Sequence, residues 1–305
     1  MRLRLNPENV RAVARGHPWV YRDGVRGRAR VGTPVTLVDQ RGRTVAFGLA
    51  DDGEIAVRVL AREPQPIEAL IQTRIRQAFR ARSQLLPADT NAFRGVNGEG
   101  DGLSGLVVDR YDSLLVLRLY GACWQVHLPV ILAALRRLDG VETIARRLGV
   151  RRVDGTQGLE VLEGPEPAET MVVQEAGLSF LVRPDRGQKT GLFLDQREHR
   201  IRVGQLARGR DVVDLFSYTG GFGVHAAAAG ARQVHLVDIA ADALDDAREN
   251  FRLNGLNPDK HRFDDCDAFE WEAPGPVGVF VCDPPALSHK RGADSAARRR
   301  YRDLA

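Results

Sequence analysis

Over the first 60 residues apolar and polar positions alternate in short runs at Arg2–Leu5, Trp19–Tyr21, Pro34–Val38, Thr44–Leu49 and Ile55–Leu60, with Gly and Asp at the joints. This pattern predicts strands, and Asn9–Arg15 is the one helical piece. Several short strands in succession predict a small β-barrel, closed so that no edge is left open. The spacing changes over Pro66–Leu86, where Ile67, Leu70, Ile71, Ile75, Phe79 and Leu85 recur at helical intervals and predict a connecting helix. A Gly/Asp/Asn-rich turn leading into apolar runs follows within Gly95–Gly121, then an amphipathic helix over Val126–Leu138. Strands at Glu160–Leu162, Met171–Glu175 and Leu178–Val182 complete an α+β block. From about Phe193 helix and strand alternate. Helices are predicted over Asp195–Leu206, Gly223–Ala229 and Ala240–Asn254, and apolar strands at Asp211–Leu215, Gln233–Val237 and Val277–Cys282. Such alternation predicts an α/β fold with a doubly wound parallel sheet. The chain thus divides into residues 1–70, 71–185 and 186–305.

Composition narrows the function. The 305 residues are 43% hydrophobic and 28% charged, which excludes disorder and fits two or three globular domains. No apolar run approaches the roughly 20 residues of a membrane span, and the N-terminus has no apolar core with a small-residue cleavage site. A cytoplasmic protein without membrane contact is expected. Three cysteines (Cys123, Cys266, Cys282) and seven histidines show no metal-ligand spacing, so no metal is expected. Residues 1–90 carry 16 Arg against 9 Asp/Glu, leaving a balance of −3 for the rest of a chain whose net charge is +4. A basic module beside a near-neutral body points to a polyanion, and Arg22, Arg26, Arg28 and Arg30 are its candidate phosphate contacts. Lys290, Arg291 and Arg298–Arg300 form a second basic group near the other end. His17 is expected on the surface, and Trp19 in the packing of the barrel.

The strongest chemical signal lies in Val212–Leu256. A strand reaches Asp214, a turn containing Gly220, Gly221 and Gly223 opens a helix, and Asp238 stands at the tip of the next strand. Glycines let backbone approach a ligand, and an acid at that tip accepts hydrogen bonds from ribose hydroxyls. A dinucleotide site shares this arrangement, but Asp214 at the head of the turn would repel a pyrophosphate and suits an ammonium group instead. S-adenosylmethionine (SAM) is therefore favoured over a nicotinamide cofactor. DDCDAF (Asp264–Phe269) follows a short third strand, where Asp267 is placed to accept from the adenine amino group, with Phe269 packing nearby. Asp283-Pro284-Pro285 ends the fourth strand, where prolines force the chain out at the ligand-binding edge and a carboxylate can hydrogen-bond an extruded base.

Two stretches of sequence carry family resemblances. RGHPWVYRDGV (Arg15–Val25) resembles the RNA-binding PUA domain. QKTGLFLDQREHR (Gln188–Arg200), DLFSYTGGFG (Asp214–Gly223), VDIA (Val237–Ala240), ARENFRLNGL (Ala247–Leu256) and CDPP (Cys282–Pro285) resemble, in order and spacing, the class I SAM-dependent 23S rRNA (cytosine-C5) methyltransferases. These join a PUA-like barrel, an α+β domain and a Rossmann-like catalytic domain. The resemblance implies methyl transfer to C5 of a cytosine in large-subunit ribosomal RNA. It also implies SAM held by Gln188, Lys189, Phe193, Asp214, Asp238 and Asp267, with Phe216, Tyr218 and Gly220 from the same turn, and Asp283, Pro284 and Pro285 at the base. Oligomeric state stays open, a homodimer included.

C5 of cytosine becomes nucleophilic only after a thiolate adds at C6. The resembling family keeps that cysteine in a Ser-Cys-Ser-like turn after a fifth strand, and this sequence ends at Ala305, shortly after a fourth. A fragment of a longer protein with an incomplete sheet is therefore expected. Cys282 is expected to be a buried core residue, since strand alternation turns it away from Asp283. Ala286, where amine methyltransferases carry an aromatic residue, disfavours an exocyclic amine as the target. A chain that binds SAM and RNA without catalysis, or methylates another RNA position, remains the alternative.

Overall fold

The computed structural model describes residues 1–150, 153–185, 192–285 and Arg302, arranged as two compact units. The first comprises Met1–Met171 and Arg183–Leu194, the second Val172–Val182 and Asp195–Ala305.

The first unit opens with β1 (Arg2–Leu5), α1 (Pro7–Ala14), β2 (Trp19–Tyr21), β3 (Val25–Arg26), β4 (Pro34–Val38), β5 (Thr44–Ala50) and β6 (Ile55–Ala61). They form a six-stranded sheet in the order β2-β6-β5-β4-β1-β3. Its two outer strands, β2 and β3, are separated by only Arg22–Gly24 in the chain, so the sheet curls until its ends meet. Alternate residues such as Leu3, Leu5, Val35, Leu37 and Val57 fill the interior. Trp19 is not among them; it is half-buried and turns to neighbouring loops, which corrects the expectation that it packs in the barrel.

Helix α2 (Ile67–Leu85) buries Leu70, Ile71, Ile75, Ala78 and Phe79 along one face and stops where Leu86, extended ahead of Pro87, cannot continue it. It packs with α3 (Cys123–Val126) and α4 (Leu128–Leu135) on the core face of a five-stranded sheet. That sheet comprises β7 (Ala92–Asn97), β8 (Leu106–Tyr111), β9 (Leu114–Leu119), β10 (Thr143–Leu148) and β11 (Gly158–Glu163) in the order β11-β10-β9-β8-β7. A buried ion pair ties barrel to sheet: Arg58 Nε donates to Asp51 Oδ2 (2.5 Å), Arg58 Nη2 to the Tyr120 carbonyl (2.8 Å), and Cys123 N to Asp51 Oδ1 (3.0 Å).

The second unit begins with a hairpin, β12 (Met171–Glu175) and β13 (Leu178–Val182), and continues with α5 (Arg197–Ala207), β14 (Asp211–Leu215), α6 (Gly221–Ala228), β15 (Gln233–Asp238), α7 (Ala241–Leu253), β16 (Arg262–Asp265) and β17 (Val279–Cys282). The four last-named strands form a parallel sheet ordered β16-β15-β14-β17. The chain steps outward from β14 to β16 and returns to the other side of β14, so the order reverses between β14 and β17.

The hairpin is fastened by polar groups that show no sequence period. Asn250, fully buried on α7, accepts from Leu181 N (2.7 Å) and donates to the Thr219 carbonyl (2.8 Å), while Asn254 bonds both backbone groups of Ser179. Glu175, with no exposure, takes Arg200 Nε and Nη2 on its two oxygens (2.7 and 2.6 Å) and faces His225 Nε2 at 3.2 Å. Burial alone would push this carboxyl up; the bonds from His225 and Arg200 outweigh it and hold it below the ordinary value.

Removing one partner strands a buried charge, so Arg200→Ala is expected to destabilise the second unit by about 3–5 kcal/mol. A Glu175→Leu/Arg200→Met double variant, which leaves no charge behind, is expected to lose far less. Urea unfolding followed by Trp271, the one tryptophan of that unit, measures both; equal losses would refute the assignment.

Candidate active site

Parallel pairing sets the site. Leu215 lies beside Val237 on one side and Cys282 on the other, so Asp214, Asp238 and Asp283 gather at the carboxyl ends of three adjacent strands. Asp214 is 1% exposed and accepts one bond, from Gly223 N at 3.2 Å. Burial, with the negative charges of Asp238 and Asp283 adding to it, pushes its carboxyl up to about 7. A cationic group bound beside Asp214 would offset that burial and repulsion. Among the described residues no three His, Cys, Asp or Glu side chains are grouped to hold a metal ion.

The turn between β14 and α6 is shaped by backbone strain. Phe216 (φ 59°) and Tyr218 (φ 50°) both lie in the left-handed region, which costs non-glycine residues on the order of 1–3 kcal/mol each and persists where surroundings over-determine it. The determinants are visible: Ser217 N donates to the Val237 carbonyl (3.0 Å) and Tyr218 N to Asp238 Oδ2 (2.7 Å). Ala240 N holds the other oxygen, Oδ1, at 2.9 Å, so Asp238 is fixed from both sides. Each oxygen keeps a lone pair for a ribose hydroxyl. Ser217, 7% exposed, has a buried hydroxyl oxygen with no hydrogen-bond partner. An orphaned polar atom in a strained turn, beside carboxylates for which no salt bridge is found among the described residues, fits a polar cationic ligand such as SAM.

The glycines also serve close packing. A Cβ at Gly220 (φ 74°) would meet Leu236 at 2.8 Å and Ala247 at 2.9 Å, and one at Gly223 would meet Leu236 at 2.9 Å. Their absent side chains admit α6 against the sheet and α7; the ligand case rests on Asp214, Ser217 and Asp238.

Beyond β16, Phe269 N donates to Asp267 Oδ1 (3.0 Å), and the Phe269 ring meets Phe216 edge-on at 5.6 Å. Asp267 therefore caps its own turn and keeps Oδ2 for a donor. On the other flank, Asp283 Oδ2 accepts from Gln196 Nε2 (2.9 Å), and Gln196 Oε1 lies 2.7 Å from His199 Nδ1. Gln196 and Ser217 lie inside the motifs QKTGLFLDQREHR and DLFSYTGGFG, but nothing in the spacing of those motifs singles either out as a site residue. Pro284 is half-buried and Pro285 exposed. Phe193 is half-buried in the first unit, and Gln188, Lys189, Ala286, Lys290, Arg291 and Arg298–Arg300 lie outside the described residues.

Cys282 is exposed, contrary to the expectation of a core cysteine. Strand β17 has one described neighbour, β14, and its residues alternate: Val281 is buried while Phe280 (49% exposed) and Cys282 share the open face. No cysteine here is activated. Burial raises the thiols of Cys123, Cys266 and Cys282, helped by Asp264, Asp265, Asp267 and Glu270 around Cys266 and by Asp283 beside Cys282.

At the basic end, Arg26, Arg28 and Arg30 are exposed and no hydrogen bond or ion pair of their side chains is found among the described residues, whereas Arg22 is half-buried and bonds the Asp51 and Gly53 carbonyls. Among the described residues no helix is long and apolar enough to cross a membrane.

Comparison with known proteins agrees with this geometry. Residues 107–304 match the family described as S-adenosylmethionine-dependent methyltransferase, and residues 3–62 match a PUA-like domain. A ribosomal RNA large subunit methyltransferase of Deinococcus radiodurans is 38% identical over 100% of this chain and 80% of its own length. The ribosomal RNA large subunit methyltransferase I of Shewanella amazonensis is 33% identical over 100% of this chain and 81% of its own. A solved structure from Streptococcus mutans, described as a SAM-dependent methyltransferase, superposes with a TM-score of 0.75 over 99% of this chain and 74% of that one, at 21% identity, a likeness of fold. With the family match running through Asp214, Asp238 and Asp283, and with similarity sustained along the whole length, the chain belongs to the S-adenosylmethionine-dependent methyltransferases.

Proposed function

We propose that this methyltransferase modifies large-subunit ribosomal RNA, at C5 of a cytosine, and that the N-terminal barrel contributes to gripping the RNA. The observation that carries the reading is the arrangement of Asp214, Asp238 and Asp283 on one edge of the sheet, in a chain whose full-length relatives are named for that RNA. SAM, when bound, supplies an electrophilic methyl group on a sulfonium.

The chain's own residues divide the remaining work. Asp214 neutralises the ammonium of the methionine tail in a buried setting where that charge pairing is strong. Asp238, held by Tyr218 N and Ala240 N, presents both oxygens to the ribose. Asp267 and Phe269 border the adenine. Asp283, steadied by Gln196, meets the polar edge of the target base, and Pro284 and Pro285 keep the chain from folding back over it. Arg26, Arg28 and Arg30 offer phosphate contacts that leave sequence reading to other groups. A second reading, binding of SAM and RNA without transfer, is favoured by one observation: all three thiols are raised, so none is poised to add at C6.

With tritium-labelled SAM and large-subunit ribosomal RNA, the expected product is labelled 5-methylcytosine. Label in another nucleoside would move the target atom, and saturable S-adenosylhomocysteine binding without transfer would support the second reading. Asp238→Ala is expected to weaken S-adenosylhomocysteine by roughly 1–3 kcal/mol, the scale of hydrogen bonds to a charged acceptor; calorimetric titration showing unchanged affinity would remove the ribose role.

The site also fixes a pH dependence. Asp214 in the free protein titrates at about 7, and a bound ammonium favours its ionised form, so binding expels a proton wherever the free carboxyl is protonated. Affinity for S-adenosylhomocysteine is expected to fall about tenfold per pH unit below 7 and to level off above it. Asp214→Asn is expected to abolish the slope; a slope that survives would assign it to another group.

A further inference from the structure

The first unit holds a cavity of about 310 Å3 between the barrel and the five-stranded sheet, within the size range of small-ligand sites. Trp19 and Arg58 enter it from the barrel, Asn97, Glu99 and Gly105 from the turns beside β7 and β8, and Tyr120 from the end of β9. Its polar groups are built in. Arg58 is 5% exposed, with Nε committed to Asp51 and Nη2 to the Tyr120 carbonyl, and among the described residues no hydrogen bond from Nη1 is found. Gly105 leaves that nitrogen uncovered, since a Cβ there would stand 2.4 Å from it.

Opposite the guanidinium stands an acceptor. Glu99 Oε1 takes bonds from Trp19 Nε1 (2.9 Å) and Ser104 Oγ (2.8 Å), which orient the carboxylate and leave Oε2 without a side-chain partner. Burial pushes the Glu99 carboxyl up, yet the Trp19 and Ser104 bonds, with the charge of Arg58, bring it below its ordinary value and keep it ionised. Arg58 and Glu99 feel each other's charge without closing into an ion pair, so a donor and an acceptor face one cavity across a gap. The walls are aromatic. Tyr120 is 47% exposed with Arg118 over its ring at 5.5 Å, and Trp19 packs edge-on against His17 and Tyr21.

We propose that this cavity receives one unpaired RNA base of guanine type, its ring against Trp19 and Tyr120, its O6 accepting from Arg58 Nη1 and its N1–H and N2–H groups donating to Glu99. Guanine alone among the four bases carries an acceptor beside two adjacent donors on one edge, and unpaired RNA bases are held by aromatic faces and edge hydrogen bonds. The inference rests on the chain's acting on RNA, as proposed above, and assigns a base-selective contact to the first unit.

The test uses the full chain and the oligoribonucleotides UUGUU, UUAUU, UUCUU and UUUUU, with binding read by fluorescence anisotropy. The guanine pentamer is expected to bind about tenfold or more tighter than the others, the scale of a paired edge contact. Glu99→Gln keeps an oxygen for Trp19 but places an NH2 against the guanine donors. It is expected to erase the preference while leaving S-adenosylhomocysteine affinity unchanged, which also certifies that the variant is folded. Equal binding of the four pentamers by a protein that methylates ribosomal RNA overturns the proposal alone, as does a preference that survives Glu99→Gln. Normal S-adenosylhomocysteine binding with neither RNA binding nor RNA methylation overturns the RNA reading and the proposal with it.

Discussion

Parallel pairing of β14 with β15 and β17 is the constraint on which the second unit depends, because it brings strand ends that are distant in sequence to one edge. Asp214 sits one residue before the end of β14, Asp238 ends β15 and Asp283 follows β17, and no salt bridge to any of the three is found among the described residues. The strain in Phe216 and Tyr218, the double fixing of Asp238 and the unsatisfied Ser217 hydroxyl all belong to the same edge. Stability is given up locally and recovered in the apolar packing behind it, where Val213, Leu215 and Val237 are buried.

The first unit solves a comparable problem differently. Asp51 and Arg58, seven residues apart in sequence, are buried as a pair, and the backbone groups they bind belong to Tyr120, just after β9, and to Cys123 at the start of α3. A buried pair of this kind is weak as a source of stability and strong as a specification of which surfaces meet. The guanidinium thereby stays in place with one nitrogen to spare, which a solvated arginine would not do.

Much of this was legible in the sequence, because the signals were local. Alternation located β1, β2, β4, β5 and β6 to within a residue but missed the two-residue β3, helical spacing located α2 and α7, and the acids and turn of Asp214–Asp238 announced a nucleoside site. Strand β10 was not foreseen: Arg146 and Arg147 interrupt its apolar run, and only the fold reveals that Arg146 Nη2 pairs with Asp154, its buried Nε staying without a partner, and that Arg147 donates to the Pro184 and Asp185 carbonyls. Nor could spacing announce Glu175, Arg200 and His225, which are 25 and 50 residues apart and meet by topology. Cys282 shows a limit of apolar runs, since a strand covered on one side reads in sequence like one covered on both.

The hairpin β12–β13 has a consequence for the order in which the chain is made. Its anchors on α7, Asn250 and Asn254, follow Leu181 and Ser179 by 69 and 75 residues. At roughly 5–20 residues per second of synthesis, the hairpin waits about 3–15 s for them. Throughout that interval its backbone groups lack the partners that later satisfy them, while the whole barrel has already emerged. Nascent chains of this protein therefore pass through a stage with one finished module and one exposed, two-stranded edge, and protection at that stage falls to whatever receives the chain as it leaves the ribosome.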